Sequence, residues 1–367
     1  MASIRAVSSS VFCRHAEWAR HAHTVLAWPS ARTHYYLGAP GALERATADV
    51  SAIADAVAAF EPVTLVVGRE RLADARRRFP SPGSTRHPVR LHPYDGQGQQ
   101  LDLWMRDIAP VFVTRRGRGA ENQGSGLAGV DFNWNGWGNK FRTDDGARLA
   151  RQLLQDLGVE RVSSSLVTEG GAIEVDGQGT LMATKSSIIN DNRNPGLSQH
   201  DVEAELRRTL GVDKFIWFPG VKCADVTDCH VDALARFVRP GLILLSKPAK
   251  GPDSPWTRVY REAREILSSA TDAQGQHLEV IDVVEPDIPL DETDEGESPV
   301  FSYVNYLIVN GGLILPQFGD AKADAAALEV ASRVFGEERQ IMPVVIRQLP
   351  LLGGGIHCAT QQVPWTD

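Results

Sequence analysis

The sequence predicts a mixed α/β domain built from five similar units, and three observations carry that expectation. Amphipathic helix-like runs recur five times along the 367 residues. A strand-like run follows each within a few residues. After most of these come a polar loop and two strand-like runs joined by a turn signal. Alternating elements of this kind make an α/β architecture with hairpins, and no Gly/Ser- or Pro-rich linker divides the chain, so residues 1–367 are read as a single domain.

The helical runs are 41–60, 144–158, 200–211, 254–270 and 319–336. In the last, Ala327, Leu328, Ala331, Val334 and Phe335 recur at helical spacing. Asp320 and Asp324 suit its N-terminal end and Gly336 its stop. The strand runs that follow are PVTLVVG, ERVSSSLV, DKFIWFPG, LEVIDVV and QIMPVVI, rich in β-branched and aromatic residues. The hairpins are AIEVDGQGTLMAT, HVDALARFVRPGLILLS and YVNYLIVNGGLILPQ. Their turns fall at Asp176-Gly177, Pro240-Gly241 and Gly311-Gly312.

Where each loop meets its hairpin stands a residue capable of chemistry: Asp107, Glu169, His230, Tyr303 and Cys358, separated by 62, 61, 73 and 55 residues. Equal phase in a repeated unit means equivalent positions in space. A closed ring of five units would aim these side chains at one axis. Tyr303 and Asn305 also suit ordinary strand-end roles, and Trp104 suits either a core position or an apolar wall along a bound alkyl chain.

A cysteine, a histidine and three carboxylates, counting Asp232 two residues after His230, compose a nucleophilic site with an anionic pocket. The histidine serves as base and then acid, and one carboxylate fixes its imidazole. Further carboxylates would repel an oxyanion, but they suit a planar cation bound in bidentate fashion, which implies a guanidinium. Strand parity would put His230 and Asp232 on one face and Cys229 and Val231 on the other, and it separates His357 from Cys358. The histidine that serves Cys358 should therefore come from another unit. Three glycines before Cys358 permit positive φ and close backbone approach.

Composition narrows the class. A formal net charge of −8 disfavours nucleic acid and favours a cationic substrate. No apolar run resembles a signal segment or reaches membrane-spanning length. Four cysteines are too few for a disulfide framework in a chain of this size. The expectations are a cytoplasmic protein without membrane or nucleic-acid partners, a homodimer as the default assembly, and residues 1–14 without order. A zinc site from Cys223, Cys229, His230 and Cys358 is the rival, disfavoured by spacing and parity.

The segments LDLWMRDIAPVFV, TEGGAIEVDGQGT, DNRNPG, HVDALARFVRPG, SYVNYLIVNGGLILPQFGD and GGGIHCATQQVP, with AEWARHAHTVLAWP near the N-terminus, resemble the agmatine deiminase and bacterial-type peptidyl-arginine deiminase family of the guanidine-modifying superfamily. The resemblance spans nearly the whole chain. It implies a five-bladed, pseudo-symmetric α/β propeller of the pentein kind. It implies Cys358 as nucleophile, His230 as general acid and base, Glu169 as the carboxylate that orients His230, and Asp107 and Asp232 as the guanidinium grip.

The implied reaction is hydrolysis of agmatine to N-carbamoylputrescine and ammonia through a thiouronium on Cys358, a step toward putrescine and the polyamines, with no metal or organic cofactor. Trp104 would flank the alkyl chain and Asp225 would meet the terminal amine. The family often reads HVDN, GGGNIHC and DETNGH where this chain has HVDA, GGGIHC and DVTDCH. Arginine, peptidyl-arginine or a specialised guanidino metabolite remain open as substrates, as does amidinotransfer on the same fold.

Overall fold

A computed structural model describes residues 10–36, 39–80, 85–96, 100–116, 126–141, 143–249, 254–289 and 299–366. The five expected helices form at Ala42–Ala58, Asp144–Leu157, Gln199–Leu210, Pro255–Ser269 and Ala321–Phe335. Their ends are specified locally. Ser254 accepts the Thr257 N–H ahead of Pro255, Ser198 and Asp201 form a capping box, and Asp320 accepts from the backbone of Lys322 and Ala323. Val259, Ala263 and Leu267, four residues apart, bury one stripe of the fourth helix. A large side chain removed from water in this way contributes about 1.5–3 kcal/mol.

Each helix crosses between two parallel strands. The pairs are Thr24–Ala27 with Val63–Val66, Ala128–Asp131 with Glu160–Ser163, Thr180–Thr184 with Lys214–Phe218, Leu242–Lys247 with Glu279–Val284, and Gly312–Gln317 with Gln340–Val345. The first strand of every pair also has an antiparallel neighbour. Four of these neighbours, in Val111–Arg115, Glu174–Val175, Ala235–Arg239 and Leu307–Val309, precede it in a hairpin. The fifth comes from the far end of the chain, where Thr360–Pro364 pairs with His21–Leu26. Five small sheets result, of three or four strands each, and one is shared by the two ends of the chain.

The hairpin turns need left-handed backbone, and Gly177, Gly241 and Gly311 supply it at φ of 70°, 78° and 73°. Of the N-terminal segment 1–14 expected to lack order, residues 1–9 lie outside the described residues. Phe12–Cys13 instead form a short strand on Thr114–Arg115, because the Phe12 ring joins an apolar cluster with Val111 and Val113. Among the described residues, no helix is long and apolar enough to cross a membrane.

Candidate active site

Asp107, Glu169, His230, Asp232 and Cys358 meet where the loops of different units converge. Asp107 lies on a short helix, Met105–Ile108, and Glu169 precedes a 3₁₀ turn at Gly170–Ala172. His230 and Asp232 flank the start of another 3₁₀ turn, Val231–Ala233. This corrects the expected strand. Its consequence survives for a different reason: the tight turn still separates neighbours, sending Cys229 and Val231 into an apolar cluster with Met182 and Phe218.

The convergence can be measured at Gly171. A methyl group there would stand 2.7 Å from His230 Nδ1, 2.8 Å from Asp107 Oδ1 and 3.1 Å from Asp232 Oδ2. Only a glycine fits between these groups. Its backbone N–H donates to Asp107 Oδ1 at 3.0 Å, and the indole Nε1 of Trp137 donates to Asp107 Oδ2 at 2.8 Å. Burial pushes the Asp107 carboxyl up to about 6, with Asp232 and Glu169 adding to the rise against His230.

His230 lies between two carboxylates, with Nε2 3.3 Å from Glu169 Oε2 and Nδ1 3.7 Å from Asp107 Oδ2. Burial alone would lower its pKa. Asp107, Glu169 and Asp232 outweigh that and raise it to about 9, so the ring is an imidazolium at neutral pH. Glu169 is itself gripped by Arg193, whose Nε donates to both carboxylate oxygens at 2.9 Å while Nη1 donates to Asp228 at 2.8 Å. Against its burial, Arg193 holds Glu169 below the usual range. Glu169 is thus fixed to position His230.

Cys358 is partly exposed, and its Sγ lies 3.5 Å from Asp232 Oδ2. The Asn305 side chain donates to Sγ at 3.3 Å and accepts the backbone N–H groups of His357 and Cys358 at 3.0 and 3.3 Å. Burial, and then Asp232 and Asp107, push the Cys358 thiol well above its ordinary value. The preceding glycines answer the crowding. Gly353 adopts φ 89°, and a side chain at Gly354 or Gly355 would strike the Trp104 ring or the Asn305 amide. Trp104 is fixed by its Nε1 donating to Tyr35 Oη at 3.1 Å, and Tyr35 donates in turn to Asp102.

Two of the residues singled out make contacts of their own. Tyr303 does not reach the site: its hydroxyl donates to Asp324 at 2.7 Å at the start of the fifth helix. Asn305, two residues on, supplies the fourth unit's contribution. Asp225 is not free to meet a ligand with both oxygens, because Oδ1 accepts from Thr227 Oγ1 and the Cys229 N–H, each at 3.0 Å.

Sequence reasoning also missed His357, whose Nδ1 lies 2.7 Å from Asp232 Oδ2 and whose Nε2 lies 2.8 Å from Glu17 Oε2. Adjacency to Cys358 marked it as a poor partner for the thiol, and it is one. Its role is to hold Asp232.

All six described non-glycine residues at positive φ lie in two loops beside the site: Asn133, Trp137 and Asn139, and Cys223, Asp228 and Cys229. Such backbone costs about 1–3 kcal/mol per residue and persists where the surroundings enforce it. Here Asn192 binds one loop to the other: its carbonyl accepts from Asn135 Nδ2 and its amide donates to Asp228, both at 2.9 Å. Lys140 adds an ion pair to Asp228 at 3.0 Å. The Asn- and Gly-rich run NWNGWGNK was the available signal for the first loop.

The charges do not cancel. Arg193 answers Glu169, and Arg193 and Lys140 answer Asp228, which leaves Asp107 and Asp232 facing His230. Asp232 Oδ1 is buried with no hydrogen-bond partner. A buried carboxylate oxygen without a donor is costly, and a planar cation with N–H groups would satisfy it. Among the described residues, no three His, Cys, Asp or Glu side chains are placed to hold a metal ion.

Residues 13–364 match the Porphyromonas-type peptidyl-arginine deiminase family. A protein of Streptomyces coelicolor is 39% identical over 360 residues, 95% of this chain and 98% of its own length. An agmatine deiminase of Medicago truncatula is 35% identical, covering 95% of each chain. Among solved structures, the agmatine deiminase of Enterococcus faecalis superimposes with a TM-score of 0.82 at 27% identity, over 98% of this chain and 99% of that one.

Proposed function

We propose a function from one premise: the chain belongs to the Porphyromonas-type peptidyl-arginine deiminase family. It is a guanidine iminohydrolase, and its substrate is agmatine, converted to N-carbamoylputrescine and ammonia. The observation that carries this reading is the excess of carboxylate around Asp232 Oδ1, a pocket short of one planar cation and lying against a thiol. Kinship at 35% identity with a full-length agmatine deiminase supports the choice of agmatine.

In this reading Asp107 and Asp232 grip the guanidinium. Burial and then the two carboxylates raise the Cys358 thiol; the positive charge of the substrate offsets the carboxylates, and the thiol proton leaves to solvent. The thiolate attacks the guanidinium carbon and a C–S bond forms. His230, already an imidazolium, gives its proton to the departing nitrogen; the C–N bond breaks and ammonia leaves a thiouronium on Cys358. Neutral His230 then takes a proton from water as its oxygen attacks the same carbon. Breakage of the C–S bond returns the thiolate, and loss of the remaining hydroxyl proton to solvent yields the neutral ureido product. Trp104 flanks the alkyl chain.

The five units read as blades of one propeller, closed by the pairing of Thr360–Pro364 with the N-terminal strand, which would put all five loops at one axis. Four free cysteines accord with a reducing cytoplasm. The test is ammonia release from agmatine, arginine and a peptidyl-arginine with no amine acceptor present, with the product identified by mass. Agmatine should give the highest kcat/KM. Preference for arginine would sink the substrate assignment, and dependence on an added amine would identify an amidinotransferase.

A further inference from the structure

The fourth unit gives the site an amide, and the neighbours of Asn305 fix which of its atoms does what. The side chain is buried in a turn ahead of the strand Leu307–Val309, where the Asn305 N–H donates to the Ser302 carbonyl at 3.1 Å. The oxygen and nitrogen of an amide are told apart by their partners. Asn305 Oδ1 accepts the backbone N–H groups of His357 and Cys358. Turned over, the amide would aim its NH₂ group at two donors. Nδ2 therefore faces acceptors: Cys358 Sγ at 3.3 Å and the Asp232 carbonyl at 3.4 Å. Gly355 leaves room for this contact, since a methyl group there would stand 2.5 Å from Asn305 Oδ1.

The carboxylates around the sulfur work against its ionisation. Asp232 Oδ2 is 3.5 Å from Sγ, and Asp232 and Asp107 both raise the thiol on top of its burial. The two imidazoles of the site are already engaged, His230 between Asp107 and Glu169 and His357 between Asp232 and Glu17. The Gly355 backbone and the Asn305 amide act the other way. A hydrogen bond donated to an anion is about twice as strong as one between neutral groups, so the Asn305 N–H favours the thiolate over the thiol.

We propose that Asn305 is a catalytic residue: its amide N–H donates to the Cys358 sulfur, holding the thiolate for attack on the guanidinium carbon and receiving it again when the C–S bond breaks. The assignment rests on the deiminase reading of the site. No bond to Asn305 forms or breaks and no proton leaves it, so the balance of the reaction is unchanged. Its contribution is one hydrogen bond that strengthens whenever the sulfur carries charge.

The test follows alkylation by iodoacetamide at about pH 8, read by mass at the Cys358 peptide, which reports the thiolate without any substrate. Beside it, turnover is measured on agmatine and on n-butylguanidine, which lacks the terminal amine. Asn305→Ala removes the amide. Asn305→Asp keeps an oxygen for the two backbone N–H groups and loses the amide donor. In both variants alkylation should slow about tenfold or more, kcat should fall by a similar factor on both compounds, and KM should change less than about twofold. A purely structural amide predicts the opposite sign, because a loosened loop would expose the thiol further and speed its alkylation. Unchanged or faster alkylation in Asn305→Asp, whose loop keeps its anchor, overturns the assignment, as does slower alkylation with kcat unchanged. An unmodified enzyme that releases ammonia from neither compound overturns the deiminase reading itself, whatever the alkylation rates, and the catalytic role of Asn305 with it.

Discussion

Two clusters of buried charge lie side by side in this molecule, and they are built on opposite rules. In the candidate site, Asp107, Asp232 and His230 leave one carboxylate oxygen without a donor. Behind it, linked through His357, Glu17 is met by Arg236 at 2.9 Å and by Arg106 at 3.4 Å, and Arg236 also holds Glu174 at 3.0 Å. Arg106 donates further to Gln361 and Gln362, and Arg236 to the carbonyls of Val304 and Tyr306. This second cluster ties the N-terminal segment to three other units, and each of its carboxylates faces at least one guanidinium. Paired in this way, buried charge holds the fold together, whereas Asp107 and Asp232 face His230 without a guanidinium of their own.

The largest effect should come from the thiol. Cys358→Ser should lower kcat by about 10⁴-fold or more while agmatine still binds, since Asp107 and Asp232, the proposed grip, remain. Alkylation by a haloacetamidine should add mass to the Cys358 peptide and stop turnover in step. Labelling confined to Cys13, Cys223 or Cys229 with activity retained would remove Cys358 from the mechanism.

The two clusters should separate when each loses one charge. Arg236→Met strands Glu17 and Glu174 in the interior and should cost about 3–5 kcal/mol of stability, read as a lower denaturant midpoint. Asp107→Asn removes a charge that has no full complement. It should leave the midpoint unchanged or raise it, yet abolish turnover. Equal destabilisation by both would mean that the site carboxylates are structural after all.

The pH profile sharpens the contrast from the site's side. The Asp107 carboxyl, raised to about 6, loses its charge as pH falls through that value, and the proposed guanidinium grip should go with it. His230, raised to about 9, loses its proton as pH rises through that value, and the proposed acid for the departing nitrogen should go with it. In the free enzyme, kcat/KM should fall about tenfold per pH unit outside these limits. In Asp107→Glu, the acid limb should move while the alkaline limb stays. A profile flat from pH 4 to 8 would exclude Asp107 from substrate binding.

The sequence revealed what repeats and concealed what pairs at long range. Helical spacing and cap residues located all five long helices to within one or two residues at most ends, because those signals are local. The repeat phase brought Asp107, Glu169, His230 and Cys358 to one place. The same phase pointed to Tyr303, but phase fixes a position only to within a residue or two, and the side chain turned inward is that of Asn305. Glu17, Arg106 and Arg236 could not be read as a cluster. Glu17 and His357 are 340 residues apart, and no periodicity announces such a contact.

Asp225 should give the smallest effect, and it tests where the unmatched charge of the site ends. From sequence it stood as the anion for the substrate's amine. In the structure it is half-exposed, with Oδ1 holding the Cys229 N–H and the Thr227 hydroxyl, just where Asp228 and Cys229 run through positive φ into His230. Asparagine keeps a carbonyl oxygen for those two donors, so Asp225→Asn removes charge and little else. An anion this open to water contributes under about 1 kcal/mol to binding a cation, which is less than about fivefold in KM for agmatine. Asp225→Ala removes the acceptor as well, so it should slow turnover of agmatine and n-butylguanidine alike, by loosening the loop that carries His230. A loss on agmatine alone in Asp225→Asn, larger than about fivefold, would make Asp225 the amine's partner.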